Sequence, residues 1–118
     1  ALFDAMKRRE VYATTGSRIQ VRFFGGFGYK PRDIDRPDYL DVGYQQGVPM
    51  GGDLTLAPEG QSAGFLIAAA KDPDGANLDR IQIVKGWQDA AGELHEKVFD
   101  VAASDGRVVD PKTGKLPP

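Results

Sequence analysis

The chain has no cysteine, one histidine and one tryptophan among its 118 residues. Without cysteine there is no disulfide scaffold, no thiolate-ligated zinc or iron–sulfur centre, and no thiol nucleophile. A single histidine excludes any two-histidine metal motif within the chain. Charge of one sign is lacking too. Fifteen Lys and Arg stand against seventeen Asp and Glu, a formal net charge of −2, which speaks against an electrostatic nucleic-acid binder. The longest apolar run, Gly64 to Ala70, is far too short to span a bilayer. Neither nucleic acid nor membrane is therefore expected as a partner. The missing cysteine fits the cytoplasm and export alike, so no compartment is indicated.

What the chain does have is turn chemistry. Fifteen glycines and eight prolines make up roughly a fifth of it, against about 12% in an average protein. Between these breaks lie short runs with strand character. Arg18 to Phe24 alternates strictly, with Ile19, Val21 and Phe23 on one side and Arg18, Gln20 and Arg22 on the other, the pattern of a half-buried strand. Gly25-Gly26 is expected to end it. Gly47 to Gly52 reads as a turn and Asp53 to Leu56 as a short strand. Ala63 to Ala70 is almost continuously apolar and reads as a strand buried on both faces. Leu78 to Trp87 and Leu94 to Ala102 flank Asp89-Ala90-Ala91-Gly92 and form an antiparallel hairpin. Phe27 to Gln46, with Pro31, Pro37 and irregular aromatics, fits neither period. It reads as a long loop with one short strand around Tyr39 to Tyr44.

At the N-terminus, Leu2, Phe3 and Met6 fall at helical spacing, with Lys7 to Arg9 crowding the last turn. No capping residue precedes Ala1, so this reads as the second half of an amphipathic helix. The other end, from Asp110, is polar and turn-rich. Both ends read as cuts inside a longer polypeptide. The expected fold is mainly β: a small antiparallel β-sandwich preceded by one partial N-terminal helix. The chain is expected to be a single domain over 1–118, with a helix end at 1–10, the sandwich at 17–104 and a polar tail at 105–118.

Few residues signal chemistry. Asp33, Asp35, Asp38 and Asp41, and separately Asp72, Asp74, Asn77 and Asp79, have loosely calcium-like spacing. The first set lacks the glycine and glutamate of an EF-hand, and the second is a turn sequence. His95, next to Glu93 and Glu96 in sequence, reads as an exposed strand residue. Trp87, Phe23, Phe65 and Phe99 read as sandwich core. Gly25-Gly26 and Gly51-Gly52 lack phosphate-loop spacing. No catalytic, cofactor-binding or metal-ligating residue emerges from these patterns.

One segment carries more. Arg9-Glu10-Val11-Tyr12-Ala13-Thr14-Thr15-Gly16-Ser17-Arg18-Ile19 resembles a junction near the C-terminus of a bacterial family of PHP-like proteins (polymerase and histidinol phosphatase), catalogued as domain of unknown function 3604. Gly47 to Leu54 and Lys71 to Trp87 resemble the same family, so the likeness covers essentially the whole chain. Intact members are several times longer. The resemblance implies a divalent metal cluster of His, Asp and Glu ligands in the parent, with hydrolysis by metal-activated water. Those ligands would lie upstream of Ala1, so no metal or catalytic residue carries over. Arg9, Tyr12, Thr14 and Thr15 match the junction, which the resemblance places beside the parent's core.

The expected function is thus a non-catalytic segment that supports or shapes the catalytic part of a metal-dependent hydrolase. Its partner is that upstream part, and Leu2, Phe3 and Met6 are expected to drive self-association when it is missing. The alternative is an independent ligand-binding module, for carbohydrate or calcium, with Trp87 and the tyrosines on its surface.

Overall fold

The computed structural model describes residues 1–113 and 115–117; Gly114 and Pro118, both in the expected tail, lie outside them. The chain is mainly β, with antiparallel sheets and a short N-terminal helix. It divides into two compact units, Ala1–Asp72 and Pro73–Pro118. The boundary falls inside the 17–104 span read from sequence as one sandwich.

In the first unit, helix α1 (Leu2–Lys7) is followed by strand β1 (Gln20–Gly26), helix α2 (Tyr39–Gln46), and strands β2 (Gly47–Pro49) and β3 (Gly64–Ala70). The sheet order is β2-β1-β3, with both pairings antiparallel. The register sets Phe24 opposite Leu66 and Phe23 opposite Ile67, so adjacent rungs point to opposite faces. On one face Phe24, only 1% exposed, packs with Leu66 and with Val42 of α2 as the buried core. On the other face Phe23 stacks on Phe65, ring centroids 5.4 Å apart.

Several expectations needed correction here. The even-numbered row of β1 is polar at Gln20 and Arg22, yet Phe24 in that row is the most buried side chain. The reason is that α2 covers this end of the face. Gly25 and Gly26 end the strand as expected, but as its last two paired rungs, bonded to both neighbours. A Cβ on Gly26 would lie 2.6 Å from the Gln46 carbonyl oxygen, so the close approach of backbone requires glycine. Residues 39–46 are helix, not strand or loop. Its residue Gly43 lies against Phe24, and the Tyr29 hydroxyl donates to the Gly43 carbonyl at 2.8 Å. Gly47–Pro49 is a strand instead of a turn, and Asp53 to Leu56 has no regular structure. In β3 Leu66 is buried but Phe65 is exposed, because β3 is an edge strand and not a central one.

The second unit is the expected hairpin, β4 (Arg80–Gln88) and β5 (Leu94–Ala103). Its turn is held from one residue. Asp89 Oδ1 accepts the N–H groups of Ala91 and Glu93 at 2.9 and 3.0 Å, and Gly92 takes a positive φ of 86° that favours glycine. A register shift between Ile81 and Gln82 leaves Val101 without a partner, a β-bulge. Lys85 and Lys97 oppose each other on one face, beside the Trp87–His95 and Ile83–Phe99 rungs; Glu96 and Asp100 lie on the other. The expected aromatic core is not formed here: Trp87 and Phe99 are both exposed, because a two-stranded hairpin has no second layer of its own.

The Phe24–Gly43 contact can be tested directly. A Cβ on Gly43 would lie 2.6 Å from Phe24 Cδ2. Gly43→Ala gains helix propensity but overpacks the core, and is expected to lose about 1–2 kcal/mol net. The readout is earlier exchange of the β1 amides in a urea series.

Candidate functional site

The junction after α1 is built from a helix stop. Arg9 takes φ +60°, with its N–H bonded to the Met6 carbonyl and the Glu10 N–H bonded to the Ala5 carbonyl, both at 3.0 Å. This is a Schellman closure with arginine where glycine is usual. The strained residue is held from outside. Arg9 Nη2 pairs with Asp53 at 3.0 Å, and the Arg9 backbone lies where a Cβ of Gly51 would fall. Gly51 itself has φ +83°. Arg9 thus latches the helix end to the loop after β2.

One residue on, Glu10 is fully engaged. Arg8 donates to its Oε2 from Nε and Nη2 at 3.3 and 3.1 Å, and the Tyr44 hydroxyl donates to Oε1. The Tyr44 bond, with help from Arg8, holds the Glu10 carboxyl below the usual carboxylate range. The same bond, followed by burial, pushes the Tyr44 hydroxyl above its ordinary value. Tyr44 in turn packs edge-on against Phe24 at 5.0 Å, so the pair ties the junction to the core.

These groups border a cavity of about 430 Å³ that also reaches Tyr12, Arg22, Phe23 and Met50. It lies against β1 where pairing with β2 ends at Phe24. A smaller cavity of about 320 Å³ is lined by Tyr12, Thr14, Arg18, Ile19 and Gln20. Of the four junction residues singled out from sequence, Tyr12 and Thr14 meet at this smaller cavity. Arg9 serves the latch, and Thr15 is exposed and lines neither cavity. Sequence reading missed Arg8, Glu10, Arg22 and Tyr44. Arg8 adjoins the recognised motif and Glu10 lies within it, but Arg22 looked like the solvent face of a strand, and Tyr44 lay in the segment that fitted neither period.

The acidic residues serve local structure. Asp33, buried, accepts the Lys30 N–H at 2.7 Å. Asp38 is held by Arg36 through two bonds of 2.8 and 2.7 Å. Asp72, also buried, accepts the Arg18 N–H at 2.7 Å, while Asp79 belongs to the second unit and pairs with Arg107 at 3.0 Å. Among the described residues no three His, Asp or Glu side chains converge in a way that would hold a metal. No helix among them is long and apolar enough to cross a membrane.

On the hairpin, His95 meets neither Glu93 nor Glu96. It stacks on Trp87, centroids 5.2 Å apart, and Nε2 lies 2.6 Å from Asp89 Oδ2. That contact, with backbone donors of the turn, holds the Asp89 carboxyl below its usual range. Lys85 Nζ lies 5.0 Å from the Trp87 ring centre, and Lys97 lies equally far from Phe99, both cation–π geometry.

Strand pairing and the latched helix together define a mainly antiparallel β protein with a polar cavity at its N-terminal junction. The chain belongs to the family described as protein of unknown function DUF3604, whose family model matches residues 1–118. No curated protein and no solved structure matches it.

Two outcomes follow from this geometry. The folded state holds Glu10 ionised more strongly than the unfolded chain does, so its contribution is complete above the usual glutamate range. It is lost as pH falls through the depressed folded value. The raised Tyr44 hydroxyl contributes below its ordinary range and is lost as pH rises through the folded value. Tyr44→Phe is expected to lower stability by about 1 kcal/mol at neutral pH and to flatten both limbs, as read by thermal melts across pH. Trp87, 39% exposed beside two lysines, is expected to be quenched readily by iodide and much less by caesium at equal ionic strength.

Proposed function

We propose that this chain is a non-catalytic segment of a PHP-like, metal-dependent hydrolase, packing on the catalytic part of a longer parent and shaping access to it. The observation that carries this reading is α1. Leu2, Phe3 and Met6 are 74, 64 and 52% exposed, on a helix too short to persist by its own propensity. Yet its end is fixed by the Arg9 latch and by Glu10. A helix tied at its end to the sheet unit, with its apolar side chains outward, is suited to insertion into another apolar surface. The hydrolase and the divalent metal enter this reading from the family resemblance alone.

The chain and the remainder of the parent, produced separately, are expected to associate. Leu2→Asp with Phe3→Asp is expected to weaken that association at least tenfold without unfolding β1. The isolated chain is expected to self-associate at high concentration and to show no hydrolysis. Stoichiometric zinc or manganese binding by these 118 residues, or a strict monomer by light scattering, would count against the proposal.

A further inference from the structure

The larger cavity at the junction carries an inference that is independent of helix docking. Its charges do not cancel. Glu10 is bonded on both oxygens, by Arg8 and by Tyr44, and its single negative charge is shared by two arginines, Arg8 in direct contact and Arg22 at longer range. One positive charge is in excess. Among the described residues Arg22 has no carboxylate at ion-pair distance, and its hydrogen bond runs from Nη1 to the Val21 carbonyl of its own strand at 3.1 Å. Arg22 lines the cavity, and a guanidinium with donors to spare is a planar fork suited to two oxygens of one anion. Tyr12 borders the same space, and its hydroxyl has no hydrogen-bond partner among the described residues.

Besides these polar groups, Ala5, Pro49 and Met50 supply apolar lining. At about 430 Å³ the space is within the range of small-molecule sites. A fork of donors, a free hydroxyl and an apolar lining select one ligand chemistry. We infer that this cavity binds a small organic anion, a phosphate monoester, sulfate ester or carboxylate with an apolar body, with its head on Arg22 and Tyr12. A bare inorganic anion satisfies the fork but leaves the lining wet, so the apolar body is expected to add affinity. An acidic side chain from another polypeptide shares the head-group chemistry but is the alternative source.

The test uses phenyl phosphate and inorganic phosphate as probes, by calorimetric titration of the chain, with the Met50 methyl resonance reporting location. Phenyl phosphate is expected to bind at least tenfold more tightly than inorganic phosphate and to shift the Met50 methyl. Arg22→Gln is expected to weaken it at least tenfold, Arg22→Lys less, and Tyr12→Phe about threefold. If Arg22→Gln does not fold, the Arg22→Lys and Tyr12→Phe series decides the matter. Equal affinity for the two probes, an unmoved Met50 methyl, or unchanged binding in the Arg22 and Tyr12 variants would overturn the inference. So would a glutamate-rich peptide that displaces phenyl phosphate at lower concentration than phenyl phosphate itself requires, since the site would then be one for protein carboxylates.

Discussion

Phe24 sits against Gly43, and the first unit is arranged around keeping that contact. Among the described residues the ring is the one large side chain fully removed from water. It can be buried only because the helix above it presents bare Cα rather than a side chain. Burying such a ring contributes on the order of 2–3 kcal/mol. That is enough to hold in place an eight-residue helix that carries a glycine and a β-branched valine and has weak propensity of its own. Once α2 is seated, Tyr44 is carried to the edge of β1. There it meets Glu10, and the cavity wall follows.

Where one physical signal dominated, the fold was legible in the sequence. Alternation from Arg18 to Phe24, turn residues around Asp89 to Gly92 and the apolar run from Gly64 gave β1, the hairpin and β3. What escaped was decided by tertiary contact. Residues 39–46 show no helical stripe because only Val42 and Gly43 of that helix are buried. β2 is three residues long and ends in proline, so locally it looks like the turn that was expected. The aromatics were assigned to a core by residue type. Phe65 and Trp87 lie instead on an edge strand and on a two-stranded hairpin, where there is little to cover them.

The candidate site was half legible for a similar reason. The motif from Arg9 to Ile19 marked the junction, and Tyr12 and Thr14 do meet there. Arg22 follows the motif by three residues but reads as the solvent face of β1, and Tyr44 comes from α2, far away in sequence, so only the folded sheet and helix bring the two to one cavity. Arg9 turned out to act through its backbone and its ion pair with Asp53, holding the helix end instead of facing the cavity. A motif can thus be recognisable because of the turn it makes and not because of any side chain it offers to a ligand.

The hairpin is an electrically polar plate. Both of its paired lysines lie on one side, Glu96 and Asp100 on the other, so anything approaching it meets a different sign of potential on each face. Because side chains alternate along a strand, sliding β5 by one residue would invert that polarity for the whole strand. The bulge at Val101 confines such an inversion to the last residues before Ser104. Asp89 and Gly92 pin the opposite end. The turn and the bulge together thereby determine which way the plate's field points.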